Sequence, residues 1–408
     1  MNTIVFVETT KSGSSREAIK AADRMGYVTV LLTENVKFID QRLEFPDVTE
    51  MIHVSELTEE QIRANIRLLQ KQGRKIKGIF SFVDPFVSMT ALLMNELCLS
   101  KISGESYRKM EDKVLTRTAL ADNPVTPMFA VYNPENNLQQ FIAEEHRFPL
   151  IIKSPLSKAS RDVYLAADKK EMTTMMRRML KLYPNQNIVV EEYLDGPQYL
   201  VELVVDHGEL HIVAVIKQDI KKELKFIITG YDFQLQLEKE LYATLYQAVE
   251  SICHDLGAKH VACHIELRYV RGKWKLIELN PRISGGAMNR MIEEAYGINL
   301  MEETLKLFMG EEVDLKRKHE RHLYTHYITI STYGYLLKVT GKNAAMRQEG
   351  VREVYVKPRK GAYMTPAVSM GSRYGYVMAT GNSSQEAKKN ALQAAKNLRF
   401  YIEPEEER

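Results

Sequence analysis

Ile265-Glu266-Leu267-Arg268-Tyr269-Val270-Arg271-Gly272-Lys273-Trp274-Lys275-Leu276-Ile277-Glu278-Leu279-Asn280-Pro281-Arg282 reads as two strands joined by a short turn at Arg271-Gly272-Lys273. Side chains alternate across a strand, so Glu278, Asn280 and Arg282 project from one face. His264, Glu266 and Arg268 share a face of the first strand in the same way. If the strands pair, two carboxylates, a carboxamide and a guanidinium converge, while Trp274, Leu276, Ile277 and Leu279 supply apolar cover. Crowded oxygen ligands repel one another and lose hydration, so the group needs a positive counter-charge. Mg²⁺ fits best, being hard, octahedral and usually completed by phosphate oxygens and water. Arg282 would sit beside it and clamp a phosphoryl or carboxylate oxygen through its planar fork. A charged hairpin with weak cross-strand salt bridges is the plainer alternative from spacing alone. The sequel argues against it: Ile283-Ser284-Gly285-Gly286-Ala287 is a flexible turn into a helical pattern at Met288 to Tyr296, stopped by Gly297.

Glu266, Glu278, Asn280 and Arg282 resemble the metal-and-phosphate signature of the ATP-grasp superfamily, Glu…Glu-x-Asn-x-Arg followed by Gly-Gly, and the resemblance extends over nearly all of the chain. Members join a carboxylate to an amine or another nucleophile through an acyl phosphate made from ATP. The implied fold is α/β (α+β), an ATP-grasp fold with four parts. These are an N-terminal doubly wound α/β domain over 1–105, a lid over about 120–190, a central antiparallel-sheet domain, and a small C-terminal α+β domain over 311–408 that closes the active site; the ATP-grasp domain as a whole spans 106–310.

Bulk properties agree with a soluble enzyme. At 408 residues the chain has length for roughly two to four domains. A net charge of +3 is too small to imply nucleic acid or a membrane surface as partner. Cys98, Cys253 and Cys263 are scattered, which argues against a disulfide framework and a zinc site and for a reducing compartment. No stretch approaches the roughly 20 apolar residues of a membrane span, and the strand at Thr3 to Glu8 leaves no room for a signal peptide. A cytoplasmic location follows as the expectation.

Alternating strands and helices over the first hundred residues imply a doubly wound sheet, whose ligands bind beyond the carboxyl ends of strands. That makes the Ser12-Gly13 loop and the Asp84-Pro85 corner candidate substrate walls. Lys113 follows Tyr107-Arg108-Lys109-Met110-Glu111-Asp112, and Lys153 ends the apolar strand Phe148-Pro149-Leu150-Ile151-Ile152. A lysine there needs an anionic partner, and both resemble the pair that holds ATP phosphates in ATP-grasp enzymes. The loop Leu156 to Asp162 matches the family's phosphate-covering loop but is poor in glycine; Ser160 fits, whereas Asp162 would repel phosphate unless turned away. Ile188-Val189-Val190-Glu191-Glu192-Tyr193-Leu194 resembles the inter-domain hinge that reads adenine, with the Glu192 carbonyl accepting, the Leu194 N–H donating, and Glu191 and Tyr193 alongside. Gln198 stands where a glutamate commonly binds the ribose. The final Glu403 to Arg408 reads as a disordered tail.

The closest resemblance is to the L-amino acid ligases, which make dipeptides from free amino acids. It implies ATP and Mg²⁺ as cofactors, with Mn²⁺ an acceptable substitute, and Glu266, Glu278 and Asn280 as metal ligands. Arg282 is the catalytic cation, and Lys113, Lys153, Ser160, Glu191, Glu192, Tyr193, Leu194 and Gln198 line the nucleotide site. Amino-acid substrates would lie against Asp84, Pro85, Gly285, Gly286, Met288 and Asn289. A homodimer is compatible with the resemblance. Two other readings stay open from sequence: another ATP-grasp ligase, such as a purine-pathway or biotin-carboxylase-like enzyme, and a non-catalytic ATP-binding regulator.

Overall fold

Four apolar runs of the N-terminal third form a parallel sheet. They are β1 (Asn2–Val7), β2 (Val28–Thr33), β3 (Glu50–His53) and β4 (Lys75–Phe80), in the order β3-β2-β1-β4. Ile4, Val5, Phe6 and Val7 are all buried, as consecutive residues must be in a strand covered on both faces. β4 stops at Phe80, two residues short of the apolar run, because the Ser81 N–H turns to the Thr90 hydroxyl of the next helix. The structure, a computed structural model, describes residues 1–155, 162–222, 226–367 and 369–404.

A second unit has its own core. β5 (Phe129–Tyr132), β6 (Leu150–Lys153), β7 (Val163–Ala166) and β8 (Ile188–Glu192) form an antiparallel sheet in the order β5-β8-β6-β7. The helix Lys169–Leu182 covers it, burying Met172, Met176 and Met179 at helical spacing. The start of that helix is written in the sequence. Asp168 caps the Glu171 N–H, and Glu171 reaches back to the Ala167 N–H. This core, built on Ile152, Ala166, Met176 and Ile188, is separate from the main one.

The chain then crosses the molecule in β9 (Gln198–Asp206), β10 (Glu209–Lys222), β11 (Phe226–Phe233), β12 (Val261–Val270) and β13 (Lys273–Asn280). The C-terminal segment adds β14 (His322–Ile328), β15 (Gly334–Thr340), β16 (Val351–Val356), β17 (Tyr363–Met364), β18 (Gly375–Gly381) and β19 (Arg399–Pro404). Three of these extend the central sheet, giving eight strands in the order β13-β12-β9-β10-β11-β14-β18-β16. The helix Ser384–Ala395 packs Ala387, Ala391 and Ala394 against Tyr324, Val377 and Ala379 of that extension. β15, β17 and β19 make a small sheet of their own. The tail expectation is therefore corrected at Glu403, which pairs with Tyr335 of β15; residues 405–408 lie outside the described residues.

Candidate active site

The β12–β13 hairpin pairs in the register the sequence suggests, His264 opposite Asn280 and Glu266 opposite Glu278. The next pair is Leu267 with Leu276, so Ile277 is an extra residue, a bulge on β13. The bulge turns the Ile277 carbonyl outward, where it accepts from Lys153 at 3.3 Å and Arg117 at 3.0 Å. The polar face of this junction opens on a cavity of about 540 Å³, lined also by residues of the N-terminal, β5–β8 and C-terminal units.

Two carboxylates and a carboxamide meet at its floor. Burial, then repulsion from Glu278, raises the Glu266 carboxyl to about 7. Its two oxygens accept from Gln198 at 2.8 Å and Gln218 at 3.2 Å. Glu278 is half-buried, and Lys113 at 3.2 Å, with Lys153 beyond it, outweighs its desolvation and holds its pKa below the usual range. His264 orients Asn280. Its Nδ1 lies 2.7 Å from the Arg282 carbonyl, which can only accept, so Nδ1 carries the proton and Nε2 accepts from the Asn280 amide at 3.2 Å. Burial, then the Arg282 charge, depresses His264 to about 4 and keeps it neutral. With its nitrogen committed, Asn280 has its oxygen left for a cation. A pair of crowded carboxylates and an oriented carboxamide is a donor set that suits Mg²⁺.

Behind the lysines stands one more cation than the sequence reading held. Lys113 is the first residue of the helix Lys113–Ala119, capped by Asp112 at the Val114 and Leu115 N–H groups. Arg117, one turn on, is buried; it donates to Glu191 at 2.5 Å and to the Leu276 and Ile277 carbonyls. Lys153 pairs with the same carboxylate at 2.6 Å. Burial drives the Lys153 ammonium down to about 8, and Glu191 only partly offsets it. Glu191 pays desolvation as well, yet Arg117 and Lys153 keep it below the usual carboxylate range. Two buried cations share one carboxylate, and of the two Lys153 lines the cavity.

At the hinge, Tyr193 donates its N–H to the Pro149 carbonyl and stacks on Phe226 at 6.0 Å. The Glu192 carboxylate accepts from the Met128 N–H, and Arg268 donates to the Leu194 carbonyl. Gln198 bridges Arg268 and Glu266, so both ends of the carboxamide expected at a ribose are engaged within the protein. Ser160 lies outside the described residues; Asp162 accepts from the Tyr183 hydroxyl at 2.7 Å.

At the opposite end Arg282 forms a two-point ion pair with Asp84, at 3.0 and 2.6 Å, rather than presenting an open fork. Pro85, Gly285 and Gly286 line the cavity beside it. Met288 and Asn289 do not. Met288 is fully buried, and Asn289 binds Asn299 and the Met301 N–H, fixing the start of the helix Leu300–Met309. The Ser12-Gly13 loop is likewise no cavity wall. Ser14 donates to the Ser284 carbonyl, and Gly13, at φ 95°, abuts Gly286 so closely that a Cβ there would lie 3.3 Å from its backbone. Beneath this turn Glu202 accepts from the Ser284 N–H, fully buried, and burial pushes its carboxyl up to about 8. Sequence reading missed Arg117, Gln218, Tyr231, Met370 and Arg373; only Arg117 carried a signal, its one-turn spacing from Lys113.

Residues 146–290 match the family model described as ATP-grasp domain, and residues 326–403 match L-amino acid ligase C-terminal domain 2. The crystal structure of L-amino acid ligase from Bacillus licheniformis superposes with a TM-score of 0.84 at 21% identity, covering 99% of each chain. An uncharacterized protein, y4rH, of Sinorhizobium fredii is 23% identical over 98% of this chain and 83% of its own length. Carnosine synthase 1 of Homo sapiens is 25% identical over 60% of this chain, which spans 32% of that protein's length. Among the described residues no helix is long and apolar enough to cross a membrane.

Proposed function

We propose that this chain, an ATP-grasp carboxylate–amine ligase by its domains and fold, joins the carboxylate of one L-amino acid to the amine of another, giving dipeptide, ADP and phosphate. The observation that carries the reading is a single cavity holding Lys113, Lys153, Glu266, Glu278, Asn280 and Arg282, enclosed by an ATP-grasp domain and a segment similar to the C-terminal domain of L-amino acid ligases.

Lys113 and Lys153 hold the phosphates and the hinge at Glu191 to Leu194 holds the adenine. Glu266, Glu278 and Asn280 would hold Mg²⁺, which when bound neutralises charge on the transferring phosphoryl group. The donor carboxylate, positioned by Arg282, attacks the γ-phosphorus; a P–O bond forms, the bond to ADP breaks, and an acyl phosphate results. The acceptor amine, as the free base, then attacks the acyl carbon; a C–N bond forms, the C–O bond to phosphate breaks, and the nitrogen's proton leaves with the departing phosphate, with Arg282 stabilising the oxyanion in a dry site. Closure of the β5–β8 unit would keep water from the acyl phosphate. With Asp84 already neutralised by Arg282, the wall at Pro85 favours a donor with a neutral side chain. An enzyme that draws on ATP and free amino acids belongs in the cytoplasm, in keeping with three unpaired cysteines.

The test is phosphate release from ATP across a matrix of amino-acid pairs, with mass spectrometry of the product. ADP and an amide should appear only with suitable pairs. Turnover with bicarbonate and none with amino acids would replace the reading by a biotin-carboxylase-like one, and ATP binding without turnover would make the chain a regulator.

A further inference from the structure

The cavity floor runs across the central sheet from Glu278 and Asn280 on β13 to Tyr231 on β11, and ends at Met370 and Arg373 just before β18. The lysines stand at the β13 end, so Arg373 is a cation at the other. Gln218 bonds Glu266 and lies opposite Tyr231 in the β10–β11 register, so the far wall begins one side chain beyond the candidate metal ligands. There the Tyr231 and Tyr327 rings meet edge-on at 5.5 Å. The Arg373 guanidinium lies 3.8 Å over Tyr327 and 5.9 Å from Tyr231, with its Nε donating to the Met370 carbonyl.

The other cavity cations are engaged: Lys113 with Glu278, Lys153 with Glu191, Arg268 with Gln198 and Arg282 with Asp84. Arg373 has no carboxylate within ion-pair distance among the described residues: its contacts are the Met370 carbonyl and the Tyr231 and Tyr327 side chains. Its buried Nη1 has no hydrogen-bond partner among the described residues, and neither has the Tyr327 hydroxyl beneath it. Buried donors without acceptors are costly. A guanidinium held flat by an aromatic ring, lining the cavity with no carboxylate to balance its charge, suits an anion brought by a ligand.

Resting on the ligase reading above, we propose that Arg373 binds the non-reacting α-carboxylate of the amine-donating substrate. Ligation of two amino acids places three anionic groups in one cavity. The triphosphate falls to the lysines and the reacting carboxylate to Arg282, which leaves the acceptor's own carboxylate for Arg373. Gly286 lies against this far wall: a Cβ built on it would come within 3.9 Å of the Tyr327 hydroxyl. The acceptor amine then points back along the turn towards the acyl carbon. The acceptor must carry a free carboxylate, and a bare amine of the same side chain is a poor substrate.

The experiment compares, as acceptors, an amino acid and its carboxamide with the same side chain, using wild type, Arg373→Ala and Arg373→Lys. Wild type should prefer the free acid by about 30-fold or more in kcat/KM. Arg373→Ala should lose that preference through the KM of the acid, leaving the carboxamide reaction and the KM for ATP within about threefold of wild type. Arg373→Lys should keep part of it, having the charge without the fork. An equal loss for both acceptors, or a rise in the KM of the acyl donor alone, overturns the proposal. So does a wild-type enzyme that uses acid and carboxamide equally well, a comparison that needs no variant to fold. A wild type that ligates no amino-acid pair instead removes the parent reading.

Discussion

Glu202 shows how far one buried side chain can set the pH response of the fold. Its carboxyl is pushed to about 8 by burial, while in the unfolded chain it titrates near the ordinary 4.5. Between those values the folded state keeps a proton that the unfolded state has lost, so this group makes stability fall as pH rises from about 4.5 to about 8. Glu202→Gln, neutral and of the same shape, should match wild type near pH 5 and exceed it by about 1–3 kcal/mol near pH 8. Denaturant unfolding of both proteins at the two pH values checks this; parallel curves would mean that Glu202 is ionised in the fold. Residues differ in how well the chain announces them. Glu266, Glu278 and Asn280 were legible because a short turn brings two alternating strands into register. Arg117 was not read, because its partner Glu191 lies 74 residues away and the one local signal, a one-turn spacing from Lys113, fits a solvated arginine as well as a buried one.

Among the elements, the bulge at Ile277 was present in the sequence as a change of period: buried Trp274 and Leu276 are two apart, and the next buried residue, Leu279, is three further on. That step puts Glu278 on the cavity and Leu276 in the core. β10 was unread, because Lys217, Gln218, Asp219 and Lys221 look like a solvated stretch until its neighbours on both sides are known. The Ser12-Gly13 loop and the Ser284 to Gly286 turn act as one piece, backbone against backbone. Gly13→Val would force a branched side chain into a left-handed conformation and against Gly286. The expected result is a KM for the acyl donor raised about tenfold with that for ATP little changed, plus about 1–3 kcal/mol of lost stability. Steady-state kinetics with each substrate varied in turn decides it; a larger effect on ATP would sever the link between loop and donor pocket.

For the whole molecule, the decisive fact is that the last third of the chain completes a sheet rather than resting on one. β11 pairs with β14 through Gly230, Tyr231 and Asp232, and Tyr324 on β14 bonds Asp219 on β10. Sequence could show β14 and β18 as strands, but which edge they join depends on contacts roughly a hundred residues apart in the chain. A protein ending at Arg321 would expose the β11 edge and the face of Tyr231 that Tyr327 covers to water. It should aggregate or elute as an expanded species without a cooperative melt. Size-exclusion chromatography and calorimetry test this, and a soluble, cooperatively folding 1–321 fragment would show the extension to be dispensable.

If the proposed function holds, the ion pair between Lys113 and Glu278, 3.2 Å apart, would also govern what can enter. Each side chain already satisfies the other, so a newcomer has to trade partners with both. Nucleotide arriving as its magnesium salt offers an anion for the lysine and a cation for the glutamate in one exchange, and no charge is stranded. Bare nucleotide would take the lysine and leave Glu278 facing its phosphates beside Glu266. On the proposed function, discrimination between complexed and free nucleotide would fall largely to this pair of side chains.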